Sequence, residues 1–239
     1  MPTPSAPHVT PSATSTPGPH DLPDVSRLVV GVLGGTGPQG RGLAYRLGRA
    51  GQQVVIGSRD AERARTAATG LDIPGVRGAD NTETARDSDV VIIAVPWEGH
   101  SEQLEHLRGE LAGKIVVDCV NPLGFDKQGA YALKPHEGSA AQQAALLLPD
   151  SRVTAAFHHL SAVLLLDQAV ERIDTDVMVL GDDRESAATV QALAARVPGM
   201  RGIYAGRLRN AHQVESLVAN LISVNRRYKA HAGLRVTDV

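Results

Sequence analysis

The sequence predicts an α/β fold, a Rossmann-type doubly wound parallel sheet followed by a smaller C-terminal α/β domain. Short, continuously apolar segments alternate with segments whose apolar residues recur at helical spacing, as in buried parallel strands joined by crossover helices. A glycine-rich turn follows the first apolar segment and opens the first helix. The chain has 239 residues, of which 42% are hydrophobic, so it can bury the core that this fold requires.

The composition excludes several functional classes. Aromatic residues make up 3% of the chain and the formal net charge is −2, so the stacking rings and basic surface of a nucleic-acid binder are missing. The single cysteine, Cys119, excludes an intrachain disulfide and a multi-cysteine zinc site. No apolar run approaches the roughly 18 residues of a membrane span. We therefore expect a cytoplasmic protein with neither a nucleic-acid nor a membrane partner.

Composition also divides the chain into three regions. Residues 1–26 hold seven of the 14 prolines and no apolar run, which predicts a disordered tail rich in Pro, Ser and Thr. This tail lacks the basic start and apolar region of a secretory signal. Residues 27–150 carry the regular alternation and form the predicted Rossmann domain, and residues 151–239 form the predicted smaller domain.

The elements of the predicted Rossmann domain follow in order. Leu28–Leu33 is an apolar run that glycines end, as expected of a buried parallel strand. The other predicted strands here are Val54–Ile56, a segment around Val76, Asp89–Val95 and Lys114–Asp118. The predicted helices are Pro38–Ala50, a helix that Asp60 caps and that ends near Thr69, and His100–Leu111.

The second half of the chain is less regular. Residues 120–137 are predicted as a loop, and the strands that follow are Val153–Phe157 and Asp176–Leu180. The predicted helices are Gly138–Leu148, a helix that Asp182 or Asp183 caps and that ends near Arg196, and Asn210–His231. The last helix carries a wide apolar stripe that fits a core-facing helix and a dimer interface equally well, formed by Val214, Leu217, Val218, Leu221, Ile222 and Val224.

The glycine-rich turn, residues 34–40, is the sharpest functional signal. Its glycines match G-x-G-x-x-G between a strand and a helix, where they permit a tight turn, a close approach of backbone to a pyrophosphate, and close helix–strand packing. The helix N-terminus offers free N–H groups to phosphates. We therefore expect a dinucleotide to bind here, in contact with Gly35, Thr36, Gly37, Pro38, Gln39 and Gly40.

The end of the second predicted strand indicates which dinucleotide binds. NAD sites usually place Asp or Glu there to hold the ribose hydroxyls, whereas this chain has Ser58 and Arg59. A carboxylate would repel a 2′-phosphate, but a hydroxyl and a guanidinium can bind it. Arg63 lies one helical turn later and adds a second positive charge. The predicted cofactor is therefore NADP(H), held by the domain of residues 27–150.

Ligands of such sheets bind beyond the carboxyl ends of the strands. We therefore expect Val95 and Pro96, after the fourth strand, to contact the ribose or nicotinamide. Trp97 fits a cleft residue and a packing residue equally well. Cys119 is interpreted as a buried small residue rather than a nucleophile. The neighbours His158 and His159 point to opposite faces if they lie on a strand, so we predict no metal site.

Several motifs occur in the order found in a known family. They are Val32-Leu-Gly-Gly-Thr-Gly37, Gly57-Ser-Arg59, Ala94-Val-Pro-Trp97, Ala156-Phe-His-His-Leu-Ser-Ala162, Gly181-Asp-Asp183 and Val214-Glu-Ser-Leu217. In this respect the chain resembles the NADPH-dependent reductases of the deazaflavin coenzyme F-420, over nearly everything after Arg27. The resemblance implies a Rossmann domain, a small C-terminal domain that binds the deazaflavin, and a homodimer.

The resemblance also implies roles for individual residues. Thr36, Ser58, Arg59 and Arg63 would bind NADP. The cleft where nicotinamide meets deazaflavin would be lined by His158, Leu160 and Ala162. This chain has Ser161 where the family usually has proline. His158 is expected to bond a flavin carbonyl, with a satisfied core histidine as the alternative.

The implied reaction is hydride transfer between nicotinamide C4 and deazaflavin C5. Both cofactors carry their own electronics, so the protein mainly has to orient two rings. Two other functions remain open. One is NADP-dependent reduction of an imine or carbonyl, which needs a proton donor such as His158. The other is a non-catalytic sensor of NADP(H), which needs the glycine-rich turn and Arg59 but no second ligand pocket.

Overall fold

The computed structural model describes residues 22–239, so most of the predicted tail lies outside the described residues. The strands are β1 Val29–Leu33, β2 Gln53–Ser58, β3 Val76–Asp80, β4 Val90–Ile93, β5 Ile115–Asp118, β6 Leu123–Asp126, β7 Gly129–Ala132, β8 Arg152–Ala155, β9 Thr175–Gly181 and β10 Met200–Gly206. The helices are α1 Pro38–Arg49, α2 Ala61–Thr69, α3 Asn81–Arg86, α4 His100–His106, α5 Arg108–Leu111, α6 Ala140–Leu147, α7 Ala162–Leu166, α8 Arg184–Ala195 and α9 Ala211–Tyr228.

Eight of these strands form one sheet in the order β10-β9-β8-β5-β4-β1-β2-β3. All neighbours are parallel except β8 and β9, which confirms the predicted doubly wound α/β sheet. The strand order reverses beside β1, between β2 and β4. A crevice opens at such a reversal, beyond the carboxyl ends of the strands, and ligands bind in it.

The strands of the predicted smaller domain continue this same sheet. The unit β9–α8–β10 joins it through a short antiparallel pairing of β9 with β8, in which Thr154 and Ala155 face Gly181 and Leu180. The smaller α/β unit therefore shares a sheet with the N-terminal half. The division into domains at residue 150 stays a prediction.

The structure corrects three local predictions. Residues 120–137, predicted as a loop, contain the hairpin β6–β7, whose turn is closed by the Asp126 carboxylate accepting from the Gln128 and Gly129 amides. The helix predicted over 100–111 is divided at Leu107 into α4 and α5. The strand predicted to reach Phe157 ends at Ala155, so His158 and His159 lie in a turn and the strand argument about their directions does not apply.

The folded part also begins before Arg27. Val25 is buried in the core, and its carbonyl accepts a hydrogen bond of 2.9 Å from Gln52 Nε2. The sequence signal is weak because Val25 stands between the polar residues Asp24 and Ser26, just after the proline-rich segment. The helix caps were predicted correctly, since Asp60 accepts from the amides of Glu62 and Arg63, and Asp183 accepts from that of Ser186.

One buried side chain ties the Rossmann half to the segment that follows β8. Arg46 of α1 donates to the carbonyl of Leu165 at 2.8 Å and also to those of Leu164, Asp167 and Val170. These carbonyls lie at and just beyond the end of α7, where helical partners are missing. Arg46 therefore fixes the end of α7 against α1. Within residues 22–239, no helix is long and apolar enough to cross a membrane.

Candidate active site

The glycine-rich turn between β1 and α1 is shaped by close packing. A Cβ on Gly34 would lie 2.4 Å from the Ala94 carbonyl oxygen, and one on Gly35 would lie 2.7 Å from that of Val32. Gly34 has a φ of +72°, so it makes the tight turn that the motif assigns to Gly35. A Cβ on Gly40 would lie 2.7 Å from the Gly34 oxygen. These three glycines are required by the fold itself.

Gly37 differs from the other glycines of the turn. A Cβ there would meet only the Gly34 carbonyl oxygen, at 3.3 Å, so a shift of a few tenths of an ångström would admit a side chain at Gly37. Gly37 is the N-cap of α1 and has no side chain to satisfy the first N–H groups, and the first turn has no acidic residue. The turn therefore presents free N–H groups and room for a close approach, which fits a pyrophosphate.

A groove of about 670 Å³ lies between α1 and α2 beside this turn. It brings together Thr36 and Arg63 of the predicted site, and adds Arg41 and Tyr45 of α1 and Gln168 after α7. Ser58 and Arg59 stand next to it, at the end of β2 and immediately before α2. Sequence reasoning missed Arg41, although it directly follows the last glycine of the motif.

The groove has a positive charge available for a ligand. Arg41, Arg59 and Arg63 are exposed, and within residues 22–239 none of them forms an ion pair. Asp60, the nearest carboxylate in sequence, is engaged in capping α2. Unpaired guanidinium groups beside a hydroxyl suit the 2′-phosphate of NADP(H).

A second cavity, which we call the cleft, opens beyond the ends of β4, β5 and β8 and has a volume of about 310 Å³. It brings together five predicted residues that are far apart in the sequence: Val95, Pro96, His158, Leu160 and Ala162. Gln39, predicted for the phosphate site, also lines the cleft. Residues that sequence reasoning did not assign to the lining are Ala94, Val120, Asn121 and Val218, and Trp97 and Cys119 also border it.

His158 is the unusual side chain of the cleft. It is 3% exposed, and neither ring nitrogen has a hydrogen-bond partner among the described residues. Burial lowers the pKa of His158 to about 4, so the ring is neutral at pH 7. A buried polar group without partners costs free energy, so the two orphaned nitrogens of a residue that lines the cleft make His158 a candidate for contact with a ligand.

Backbone geometry holds His158 in this position. The preceding Phe157 has a φ of +66°, which a bulky residue adopts only when its surroundings enforce it. Gln39 Nε2 donates to the Phe157 carbonyl at 3.1 Å, and Asn121 Nδ2 donates to the His158 carbonyl at 3.0 Å. The glycine-rich helix and the end of β5 therefore fix the segment that carries His158.

The other sulfur and nitrogen candidates have structural roles. His159 is buried with its Nε2 2.7 Å from the Asp176 carbonyl oxygen, so it is held in the core by one ring nitrogen, while its Nδ1 has no partner among the described residues. Burial raises the pKa of the Cys119 thiol far above its usual range, so this thiol is not a nucleophile. Among residues 22–239 no group of three or more His, Cys, Asp or Glu side chains is arranged to hold a metal ion.

Comparisons with known proteins agree with this geometry. Residues 29–122 match the family described as NADP oxidoreductase, coenzyme F-420-dependent. The chain is 38% identical to the F-420-dependent NADP reductase of Methanothermobacter thermautotrophicus, over 89% of this chain and 96% of that protein. It is 34% identical to the enzyme of the same name from Methanocaldococcus jannaschii, over 89% and 99%.

A solved structure assigned to an F-420-dependent NADP reductase of Arthrobacter sp. FB24 superimposes with a TM-score of 0.74 at 25% identity. The match covers 88% of this chain and 99% of the Arthrobacter chain. The match therefore extends over the sheet, the groove and the cleft together. Because the curated relatives are matched over nearly their full length, the chain belongs to the family of F-420-dependent NADP reductases.

Proposed function

We infer that this protein is an oxidoreductase that transfers a hydride between NADP(H) and coenzyme F-420. The family resemblance that the ordered motifs indicate is confirmed by relatives at 34–38% identity, which are named F-420-dependent NADP reductases. The observation in the structure that carries the inference is the cleft. Gln39 of the glycine-rich segment lines the cleft together with the buried His158, whose ring nitrogens lack partners.

We assign the dinucleotide to the turn and the groove. The N–H groups of Thr36, Gln39 and Gly40 would hold the pyrophosphate, since the N-terminus of α1 is uncapped by any side chain. The N–H groups of Gly35 and Gly37 are engaged within the turn, so these two glycines, with Pro38 opening α1, would shape the space for its approach. The 2′-phosphate would be bound by Thr36, Ser58, Arg59 and Arg63. Support for this comes from the exposed, unpaired guanidinium groups and from the absence of an acidic residue at the end of β2.

The hydride step is assigned to the cleft. NADP(H) and F-420 supply the redox chemistry, which is the movement of a hydride between nicotinamide C4 and deazaflavin C5. Val95 and Pro96 on one side, with Leu160 and Ala162 on the other, would hold the two rings face to face and exclude water. Neutral His158 would donate a hydrogen bond to a deazaflavin carbonyl, and Gln39 supports its backbone.

We also propose that the protein is a homodimer that works in the cytoplasm. Apolar side chains stand exposed on the second half of α9 and on the hairpin β6–β7, namely Val224, Tyr228, Phe125 and Tyr131. Helix α9 packs against β7, so these side chains lie on neighbouring elements. Sedimentation of wild type and of a Phe125→Glu, Tyr228→Glu variant tests this, because the charges would separate the protomers.

The two other functions are less well supported by the cleft. Reduction of an imine or carbonyl needs a proton donor, and burial keeps the only candidate, His158, neutral at pH 7. A sensor of NADP(H) needs no second cavity, yet the cleft carries an unpartnered polar group that a second ligand would satisfy. The first function therefore lacks a protonated donor in His158, and the second leaves the cleft without a purpose.

The test is direct. Protein, NADPH and oxidised F-420 are mixed, and the visible absorbance of the deazaflavin is followed. We expect it to be lost in step with NADPH, and to be restored from reduced F-420 and NADP⁺. No change with F-420, together with turnover of an imine or carbonyl, would establish the first alternative, and NADPH binding without any turnover would establish the second.

A further inference from the structure

A chain of buried polar side chains lies directly behind the cleft. His100 Nε2 is 2.6 Å from Asp118 Oδ2, and His100 Nδ1 is 2.8 Å from Gln143 Oε1. His100 and Asp118 have no exposed surface. With the Gln143 amide in this orientation both neighbours of the ring are acceptors, an arrangement that favours donation from both ring nitrogens and therefore an imidazolium paired with the Asp118 carboxylate.

The ionisation of His100 is consistent with this arrangement. Burial by itself would lower the pKa of His100, but the hydrogen bond and charge of Asp118 outweigh it and raise the pKa above the ordinary value of 6.5. Three other ionisable groups face the pair. Glu215 comes from α9, and His158 and the Cys119 thiol come from the cleft wall. Gln143 of α6 contributes only a dipole.

His100 and Asp118 each contact a part of the cleft wall. The His100 ring packs on Trp97, with 5.5 Å between ring centroids. Asp118 Oδ1 accepts from the Val120 amide at 3.0 Å, which shapes the segment from Cys119 to Asn121. Trp97, Cys119, Val120 and Asn121 all line the cleft. The ion pair thus sets the positions of two adjoining stretches of lining at once.

A second contact extends the network to the far side of the cleft. Glu215 is 2% exposed and accepts from the Ala140 and Ala141 amides at the start of α6, the helix that carries Gln143. One turn after Glu215 on α9, Val218 lines the cleft. Glu215 therefore connects α9, which carries Val218, to α6, which carries Gln143.

We propose that His100, paired with Asp118, is a positioning residue for hydride transfer, because it holds Trp97 and the segment 119–121 against the reacting rings. This rests on the proposed function. A His100 imidazolium that donates to both Asp118 and Gln143 keeps this part of the cleft lining in one arrangement. Loss of its proton removes one donor and the charge that holds the Asp118 carboxylate, so the wall becomes free to shift. A shift of about 1 Å is enough to slow transfer a hundredfold.

The protonation of this network can be measured by fluorescence, without any cofactor. Trp97 is the only tryptophan, so intrinsic fluorescence reports the cleft wall directly. A protonated imidazole quenches a stacked indole more strongly than a neutral one. Wild-type fluorescence should therefore rise with pH, with a midpoint above 6.5. His100→Gln should abolish this titration, and Gln143→Met should move it to lower pH because the imidazolium loses an acceptor.

The rate of hydride transfer in a single turnover, with both cofactors saturating, then tests positioning. In wild type it should fall at high pH with the midpoint found by fluorescence. His100→Gln should lower it about tenfold to a hundredfold and remove this pH dependence, while the Kd for NADPH stays constant. His106→Gln, an exposed histidine on the same helix, is the matched control and should behave as wild type.

Gln143 is only partly buried, so Gln143→Met keeps the test valid if His100→Gln fails to fold. The proposal is overturned if His100→Gln transfers hydride at the wild-type rate. It is also overturned if Gln143→Met shifts the midpoint of the fluorescence titration but not the midpoint of the pH–rate profile. No hydride transfer by wild type at any pH would instead contradict the proposed function, and the fluorescence titration separates the two failures.

Discussion

The groove and the cleft occupy one edge of one sheet, yet they are built in opposite ways. The groove is open and cationic, and the glycine-rich turn, α1 and α2 supply nearly all of it from residues 34–71. The cleft is mostly apolar, and its lining comes from stretches of chain as far apart as Gln39 and Val218. The first is suited to holding a charged group that is brought to it. The second is suited to aligning two rings.

The contrast predicts that changes in one region leave the other unaffected. Substitutions in the turn and groove should alter the affinity for the dinucleotide, whereas substitutions in the cleft should alter the rate of transfer at saturation. The two regions meet at Gln39, which belongs to the glycine-rich motif but supports the Phe157 carbonyl beneath the cleft. The predictions that follow test this separation, beginning with the largest effect.

Gly37→Val should abolish measurable NADPH binding, a loss of more than about a hundredfold, while the protein still folds. The fold can admit a side chain at Gly37 after a small shift, but that side chain would fill the space through which a pyrophosphate approaches. Gly35→Ala is the contrasting variant, because its Cβ would lie 2.7 Å from the Val32 carbonyl oxygen and should lower the Tm. Calorimetric titration with NADPH and thermal unfolding of both variants distinguish the two roles. Wild-type affinity in Gly37→Val would remove the pyrophosphate from this turn.

Leu160→Ala should slow hydride transfer by about a hundredfold and leave NADPH affinity nearly constant. The lost side chain borders the cleft beside His158, so one ring gains room to tilt, and a misplacement of about 1 Å has a cost of this size. Val163→Ala is the control, since Val163 lies on α7 but is 59% exposed and outside the lining. Stopped-flow measurement at saturating cofactors gives the rate. An unchanged rate in Leu160→Ala would exclude this segment from the site.

Arg59→Ala should raise the KM for NADPH about tenfold or more and leave that for NADH nearly unchanged. A hydrogen bond to a charged partner contributes roughly 1.5–3 kcal/mol, and only NADPH has the 2′-phosphate to accept it. Arg65→Ala is the matched control, because Arg65 is on the adjoining helix but pairs with Glu62 and does not line the groove. If the preference for NADPH over NADH survives in Arg59→Ala, then Arg41 and Arg63 carry the selectivity instead.

The same contrast explains which parts of the site could be predicted from sequence. The groove is local: strand, glycine turn and helix are adjacent in the chain, so the motif specifies both its backbone and its ligand. The cleft required the resemblance to a family, because nothing near His158 in the sequence shows that both its nitrogens are left unpartnered. The partnership of His100 with Asp118 was missed for the same reason, since it depends on how α4 packs against β5.

The strands that the sequence pattern did not predict, β10 and the hairpin β6–β7, lie at the periphery of the molecule. The strand β10 contains Arg201, Gly202 and a half-exposed Tyr204, because it lies at the edge of the sheet and needs no continuous apolar run. The hairpin β6–β7 lies outside the main sheet and carries an exposed Phe125. Hydrophobic periodicity detects strands that are buried on both faces, and these are not. The central strands, which position the site, were therefore predicted well, and the periphery was not.

The smallest expected effect concerns stability and pH, and it tests the network behind the cleft without any ligand. Burial raises the pKa of Glu215 from 4.5 to about 7, so between these values the unfolded chain releases a proton that the folded chain keeps. Stability from Glu215 therefore falls as pH rises through this window. His158 acts in the opposite direction, because burial lowers its pKa from 6.5 to about 4, and the net slope of wild type is shallow.

Comparison with Glu215→Gln isolates the carboxyl group. The Gln amide accepts from one of the two amides of α6 and faces the other with an N–H, so the variant should be less stable at every pH. The informative quantity is the slope. Between about pH 5 and pH 8 the Tm of wild type should fall relative to that of the variant by a few degrees. If the Tm values of wild type and variant change in parallel with pH, then Glu215 is ionised over this whole pH range, the state that its two backbone N–H donors favour. The network would then hold two negative charges, on Asp118 and Glu215, around the single positive charge of His100.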